Sequence, residues 1–414
     1  MTATKDHGTA LQMHADPDGL TELGAIGPWR VRFAEEQQVG ARAPGPLEGM
    51  RVAVKDVFAV AGQQTGAGNP TVLRQARIEP VNSAAVAALI DAGALISGIS
   101  RTDELAFSIA GVNDHEGIVT NPARPGFLVG GSSSGSAAAV AEGSADVGLG
   151  TDTAGSIRVP ASYCGLWGLR LTHGVVSVEG LRPLAPSFDS VGLLTRDGES
   201  LAAAARALGA LEGSRPYRRM VIPTALLNLL DEASRAPFLK AADLLARSNG
   251  LPGTEASDFG DPDHVEEWFA SFRAIQAHEA WYVNHDLLMI DGAISPDVRS
   301  RLLAGQNVDL ERHLAVLSKA KEAVLAQLYG DAVICVPSTS TSAPRLGVSR
   351  DEQEHIRART LRLTFLASLA GLPALSVPEL VIQDAPIGLS LVGAPNDDLK
   401  LVRFASRISR EGSE

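Results

Sequence analysis

Residues 130–165 read GGSSSGSAAAVAEGSADVGLGTDTAGSIRVPASYCG, and the parsing of this stretch decides the fold. The opening Gly/Ser run has the composition of a flexible linker. It turns abruptly apolar at SAAAVAEG, which reads as a helix. ADVGLGTD (145–152) then reads as a short strand ending in a turn, and Ser156 opens a second helical segment, IRVPASYCG. Loop, helix, strand, turn and helix in that order belong to an α/β layer rather than to a linker.

The flanking chain repeats the pattern. RVAVKDVFAV (51–60) is short, β-branched and apolar, a buried strand running into a loop. NSAAVAALIDAGA (82–94) reads as a helix capped by Asn82 or Ser83, ALISGIS as a strand, and TDELAFSIA (102–110) as a short helix. Further on, DGESLAAAARALGAL, FLKAADLLARS, HVEEWFASFRAIQAHEAWYV and VDLERHLAVLSKAKEAVLAQL have helical apolar spacing. MVIP, AVICVP, ALSVP and GLSLVG are short strands. The expectation is an α/β fold around a mixed or mostly parallel sheet. Residues 1–47 are polar and irregular. No fixed-period repeat and no internal linker divides the rest, so residues 48–414 read as a single domain.

Composition narrows the function. The 414 residues are 45% hydrophobic and 20% charged, enough for a large core, and the net charge of −12 argues against nucleic acid or an anionic membrane as the main partner. No run approaches ~18 apolar residues, and the start, MTATKDHGTALQMHADPDG, has no apolar signal region, so a cytoplasmic protein is expected. Cys164 and Cys335 sit in apolar contexts and make no disulfide framework. The chain has only six lysines (Lys5, Lys55, Lys240, Lys319, Lys321 and Lys400) against thirty arginines, so a lysine inside the apolar run VAVKD needs a reason.

Three serines compete as nucleophile. GSSSG (131–135) fits G-x-S-x-G with Ser133, but its preceding TNPARPGFLVG leaves only FLV as a strand. SKAK (318–321) fits S-x-x-K but lies within an amphipathic helix, without the accompanying motifs of that class. Ser156 follows a strand and a tight Ala-Gly turn, where consecutive backbone N–H groups can face developing negative charge. An ordinary helix cap explains TDTAGS equally well. Ser156 needs a base, and none of the nine histidines carries a signature tied to it. Lys55 can serve, because burial lowers a lysine's pKa and frees a neutral amine; pairing with Asp56 is the structural alternative.

Taken together, Lys55 in VAVKD, GGSSSGSAAA and GLGTDTAGSIRVPASYCG closely resemble the amidase signature family, including the separation of Ser132 and Ser156. VAVKDVFAVAGQQTGAGNP, TDELAFS, VNDHEGIVTNP and RLTHGVVSVEGLRPLAPSFDSVG extend the resemblance to its compact, indole-3-acetamide hydrolase-like members, over residues 48–410, with 212–310 covered weakly. The resemblance implies a central mixed β-sheet covered on both faces by α-helices. It implies a Ser-cisSer-Lys triad, with Ser156 as nucleophile, Ser132 after a cis bond to Gly131 as the bridge, and Lys55 as base. It places the oxyanion hole at the backbone N–H groups of Thr153, Ala154, Gly155 and Ser156, and assigns Gly131 and Asn113 to substrate binding. No metal or organic cofactor is implied; the partner is a small-molecule amide, and a homodimer is the suggested assembly.

The family's frequent second glycine is Ala154 here, a cost of about 1 kcal/mol if that residue must be left-handed. Arg101 replaces a usual lysine. Arg158 either orders its loop, the preferred reading, or binds an acidic substrate group. The expected reaction is hydrolysis of a small amide, a primary amide of an aromatic or other apolar acid, to carboxylate plus ammonia or amine through an acyl-serine. An amidotransferase subunit and a non-catalytic binding protein of the same fold are the alternatives. The pocket in this family is built by variable segments, here expected at 113–120, 186–190 and parts of 264–310. Trp268, Phe269, Phe272, Trp281 and Tyr282 either line an aromatic-accepting pocket or belong to helix core.

Overall fold

A computed structural model describes residues 23–35, 40, 44–258, 262–329, 331–382 and 385–407. Most of the N-terminal segment read as irregular lies outside the described residues. Eleven strands form the main sheet. They are β1 (Trp29–Arg32), β2 (Arg51–Lys55), β3 (Leu95–Ser100), β4 (Val147–Thr151), β5 (Trp167–Arg170), β6 (Val191–Thr195), β7 (Arg219–Pro223), β8 (Thr254–Ser257), β9 (Ala332–Pro337), β10 (Ala374–Ile382) and β11 (Ala385–Val392). Their spatial order is β8-β7-β9-β11-β10-β5-β6-β4-β2-β3-β1. β2 pairs in parallel with both β3 and β4, while β4 to β6, β5 to β6 and β10 to β11 are antiparallel, so the sheet is mixed. Helices cover it; those used below are α1 (Ala84–Asp91), α2 (Ser134–Ala141), α3 (Arg158–Cys164), α4 (Pro262–Asn284), α5 (Pro296–Leu303), α6 (Leu310–Gln327) and α7 (Arg350–Ala370). No helix among the described residues is long and apolar enough to cross a membrane.

The central strands are buried along their whole length, which is why they read as continuous apolar runs rather than as alternations. The Gly/Ser stretch is no linker. α2 is buried from Ser134 to Val140 and lies against β4. Its small side chains allow this approach, and glycines on β4 require it: a Cβ at Gly150 would stand 2.5 Å from Ser133 Oγ. The buried hydroxyl of Ser136 is satisfied by Ser100 Oγ at 2.8 Å and by the Leu149 carbonyl at 3.0 Å.

Two expectations change. Residues 102–110 form only a single 3₁₀ turn, Glu104–Ala106, because Leu105 (φ 51°) and Ala106 (φ 57°) are left-handed and cannot continue a helix. Tertiary bonds decide this: buried Glu104 takes Asn69 Nδ2 and His115 Nε2 at 2.7 and 2.8 Å and receives Ser295 N–H at 3.2 Å, and Asp103 takes Gly111 N–H at 3.0 Å. The irregular N-terminal segment also contributes a strand to the sheet, since β1 pairs antiparallel with β3. From β1, Arg30 Nε reaches Asp56 Oδ2 at 2.8 Å.

Candidate active site

β2 and β4 run side by side, and their last residues are Lys55 and Thr151. Lys55 is fully buried, and its Nζ lies 2.8 Å from both Ser132 Oγ and Thr151 Oγ1. Burial lowers its pKa from 10.5 to about 7, and the carboxylates of Asp103, Asp189 and Asp152 stop it from falling further. Asp56 is engaged elsewhere: its carboxylate faces Arg30 and accepts from the Gly66 N–H.

Ser132 sits on the loop that opens α2. The Gly131–Ser132 peptide bond is cis. Gly131 N–H donates to Ile109 O at 2.9 Å, Ser132 O accepts from Thr102 Oγ1 at 2.8 Å, and Ser133 N–H donates to Ser156 O at 3.3 Å. That last bond ties the bridging loop to the turn that carries Ser156. Ser133 Oγ donates to Thr151 O at 3.3 Å and is consumed structurally.

The Ser156 turn is built on one buried carboxylate. Asp152 accepts from Gly155 N–H at 2.8 Å, Ile157 N–H at 3.2 Å and Arg158 N–H at 3.4 Å. Arg158 grips it with Nε and Nη2, and reaches Thr364 O at 2.7 Å and Ser368 Oγ at 3.1 Å on α7. Arg170 donates to the Asp152 carbonyl and to Phe188 O. Burial alone would raise the Asp152 pKa; the charge and hydrogen bonds of Arg158, with Arg170, outweigh it and hold the carboxyl well below the usual range. Arg158 therefore orders the loop. The left-handed residue of the turn is Gly155 (φ 127°), so Ala154 does not bear the strain expected of a replaced glycine.

Two expectations are corrected here, and one open alternative is decided. Gly155 N–H is spent on Asp152 and is not presented to a ligand. Asn113 is no ligand-binding residue in this geometry: it is buried, its Nδ2 donates to Gly68 O and Thr102 O at 2.7 and 3.1 Å, and its Oδ1 accepts from His115 and Glu116 N–H. It staples a loop. Of the two readings of the α4 aromatics, helix core holds for Trp268, Phe269 and Phe272, where Phe272 meets Phe188 at 4.6 Å and Phe269 meets Phe365 at 5.4 Å between ring centres. Trp281 lies against His278 and His285, and Tyr282 is exposed.

Ser156 instead opens into a narrow slot with Thr153, Ala154, Phe107, Ser108, Leu184, Leu361, Arg273, Gln276 and Arg357. A larger cavity of about 470 Å³ shares Ser108, Arg273 and Arg357 with it and leads outward. The sequence reading missed Thr151, Asp152, Arg170, Arg273, Gln276 and Arg357. For Thr151 and Asp152 the signal was present in GLGTDTAGS. For Arg357 there is none, since the first half of α7 is polar and charged and carries no apolar helical spacing.

The profile of the family described as Amidase matches residues 30–222. The chain is 34% identical to Amidase 1 of Oryza sativa subsp. japonica, covering 88% of this chain and 90% of that one. It is 30% identical to the indoleacetamide hydrolase of Pseudomonas syringae pv. syringae, covering 92% and 88%. A crystal structure of an amidase superposes with a TM-score of 0.78 at 30% identity, covering 89% of this chain and 86% of that chain.

Proposed function

The chain belongs to the amidase family, and from that premise we propose that it hydrolyses a small-molecule amide to a carboxylate and ammonia or an amine, through an acyl-serine intermediate. One observation carries the reading: a fully buried lysine with a pKa near 7 whose amine lies 2.8 Å from a serine hydroxyl. A buried ammonium held only by hydroxyls is a costly structural element. A neutral amine there is a poised base.

In the proposed sequence, neutral Lys55 accepts the Ser132 proton as Ser132 accepts the Ser156 proton. Ser156 Oγ bonds to the amide carbon, and the carbonyl oxygen takes the negative charge. The N–H groups of Thr153, Ala154 and Ser156 face that charge; the bond from Gly155 to Asp152 leaves three donors of the four expected. The relay returns a proton to the amide nitrogen, the C–N bond breaks and the amine leaves. Water, deprotonated by the same relay, then attacks the acyl-serine, giving the carboxylic acid and restoring Ser156. No metal or organic cofactor takes part in this scheme, which acts on a diffusible amide.

Retention of Lys55, Ser132 and Ser156 together favours catalysis over the binding-protein alternative. Trp268, Phe269 and Phe272 are packed in the core, which removes them as receivers of an aromatic acyl group. The test is ammonia release from a panel of primary amides by wild-type protein, Ser156→Ala and Lys55→Ala. Activity lost in both variants supports the assignment, and substantial turnover in either defeats it.

A further inference from the structure

The slot at Ser156 has an uneven charge. Among the described residues it is lined by two guanidinium groups, Arg273 from α4 and Arg357 from α7, and by no carboxylate. Arg357 is only 8% exposed. Its Nη1 donates to Glu354 Oε1 at 2.7 Å, and its Nε, buried, has no hydrogen-bond partner among the described residues. Arg273 Nη1 reaches a neutral acceptor, Gln276 Oε1, at 3.3 Å. Arg301 of α5 adds a third positive charge and spends Nη1 on Phe107 O at 2.9 Å. Burial and the mutual repulsion of these arginines push Arg273 down to about 10 and Arg357 well below its ordinary value, with Glu354 opposing both. Other nearby cations are matched: Arg362 by Glu266, and Arg350 by Asp297. Asp114, Asp297, Asp351 and Glu354 lie along the outer cavity, not in the slot.

A buried, under-neutralised arginine pair is expensive unless an anion completes it, and a planar guanidinium suits a carboxylate. We propose that Arg273 and Arg357 form a carboxylate subsite, so that the preferred substrate is an amide bearing a second, anionic group. This rests on the hydrolase reading for its chemistry and narrows the substrate to a class. The reaction remains hydrolytic: water supplies OH to the acyl carbon and H to the leaving nitrogen, and the carboxylate is unchanged. It can stand on the acyl side, as in a monoamide of a dicarboxylic acid, or on the amine side, as in an N-acyl amino acid.

The experiment compares kcat/KM for glutaramate and succinamate (acyl side) and N-acetylglycine (amine side) with the neutral valeramide, butyramide and N-methylacetamide. Calorimetric binding of glutarate is measured in parallel. Wild-type protein is expected to favour one carboxylate-bearing arm by about 10- to 100-fold, the range of a charged hydrogen bond. In Arg357→Gln and Arg273→Gln that ratio is expected to fall towards one, through KM, with Arg273→Lys intermediate. The arm that shows the preference identifies the side. Equal or better use of the neutral amides by wild type, which needs no variant to fold, overturns the subsite and leaves the hydrolase reading standing. Glutarate binding lost in Arg357→Gln, with no ammonia or amine released from any compound, does the reverse. Absence of both glutarate binding and carboxylate preference overturns the subsite.

Discussion

Arg158 holds Asp152 with two parallel hydrogen bonds, Nε to Oδ2 at 2.9 Å and Nη2 to Oδ1 at 2.8 Å, with neither side chain exposed to solvent beyond 1%. The pair is the frame of the Ser156 turn. Removing one partner leaves a buried charge uncompensated, which costs about 3–5 kcal/mol. Asp152→Ala and Arg158→Ala should each lose stability on that scale in urea unfolding, and lose turnover with it. A melting transition unchanged in both would show that the pair is dispensable. The Asp152 carboxyl is depressed in the fold, so its contribution is complete above its unfolded pKa of 3.8 and fades as pH falls through the folded value.

The base must be neutral to act. With Lys55 lowered to about 7, kcat/KM should rise with pH through that value and level off above it. An ordinary lysine would delay the rise until near 10.5. The pH profile of kcat/KM on a neutral amide measures this, since such a substrate does not titrate. A flat profile from pH 5 to 9 would remove Lys55 from the role of base.

Adjacent serines should differ sharply. Ser132→Ala breaks the contact with Lys55 and is expected to slow turnover by about 10²–10⁴-fold, the usual weight of a proton-transfer group. Ser133→Ala loses one long bond to Thr151 O and should cost about 1 kcal/mol of stability, with far less effect on rate. Steady-state kinetics of the two variants under one set of conditions makes the comparison. Equal losses would return Ser133 to consideration as nucleophile.

Asn113 is satisfied entirely by the protein, through Gly68, Thr102, His115 and Glu116. Asn113→Ala should therefore lower stability by about 1–3 kcal/mol. A rise in KM with no change in denaturation midpoint is the outcome that would reinstate it as a substrate ligand.

Much of this site could be read in the chain before folding, because its parts obey local rules. Lys55 stands out as a charge at the end of an apolar strand, Ser156 as a serine after a tight glycine turn, and α2 as a helix entered from a Gly/Ser run. What escaped depends on distant partners. Residues 102–110 have helical composition, yet Glu104 and Asp103 are recruited by Asn69, Ser295 and Gly111, and the backbone follows them. α7 begins with a polar, charged half and escaped an apolar-periodicity search, so Arg357 escaped with it. The α4 aromatics have a spacing that suits a pocket and a core alike; only packing against Phe188 and Phe365 decides between them.

The residues proposed to break the bond and those proposed to choose the molecule come from separate stretches of the polypeptide. Lys55, Ser132 and Ser156 all precede β5, whereas Arg273 and Arg357 arrive on α4 and α7, long after it. Thr364 and Ser368 of α7 are bonded to the Ser156 turn: Arg158 donates to the Thr364 carbonyl and the Ser368 hydroxyl, and Thr364 Oγ1 donates to the Ala154 carbonyl. Substitutions on the outward half of α7, before Thr360, and on the slot-facing turn of α4 can thus retune selectivity while the scissile machinery is left alone. For directed evolution, this makes positions 273, 276 and 357 a compact library, and makes 152, 158, 364 and 368 positions to hold fixed.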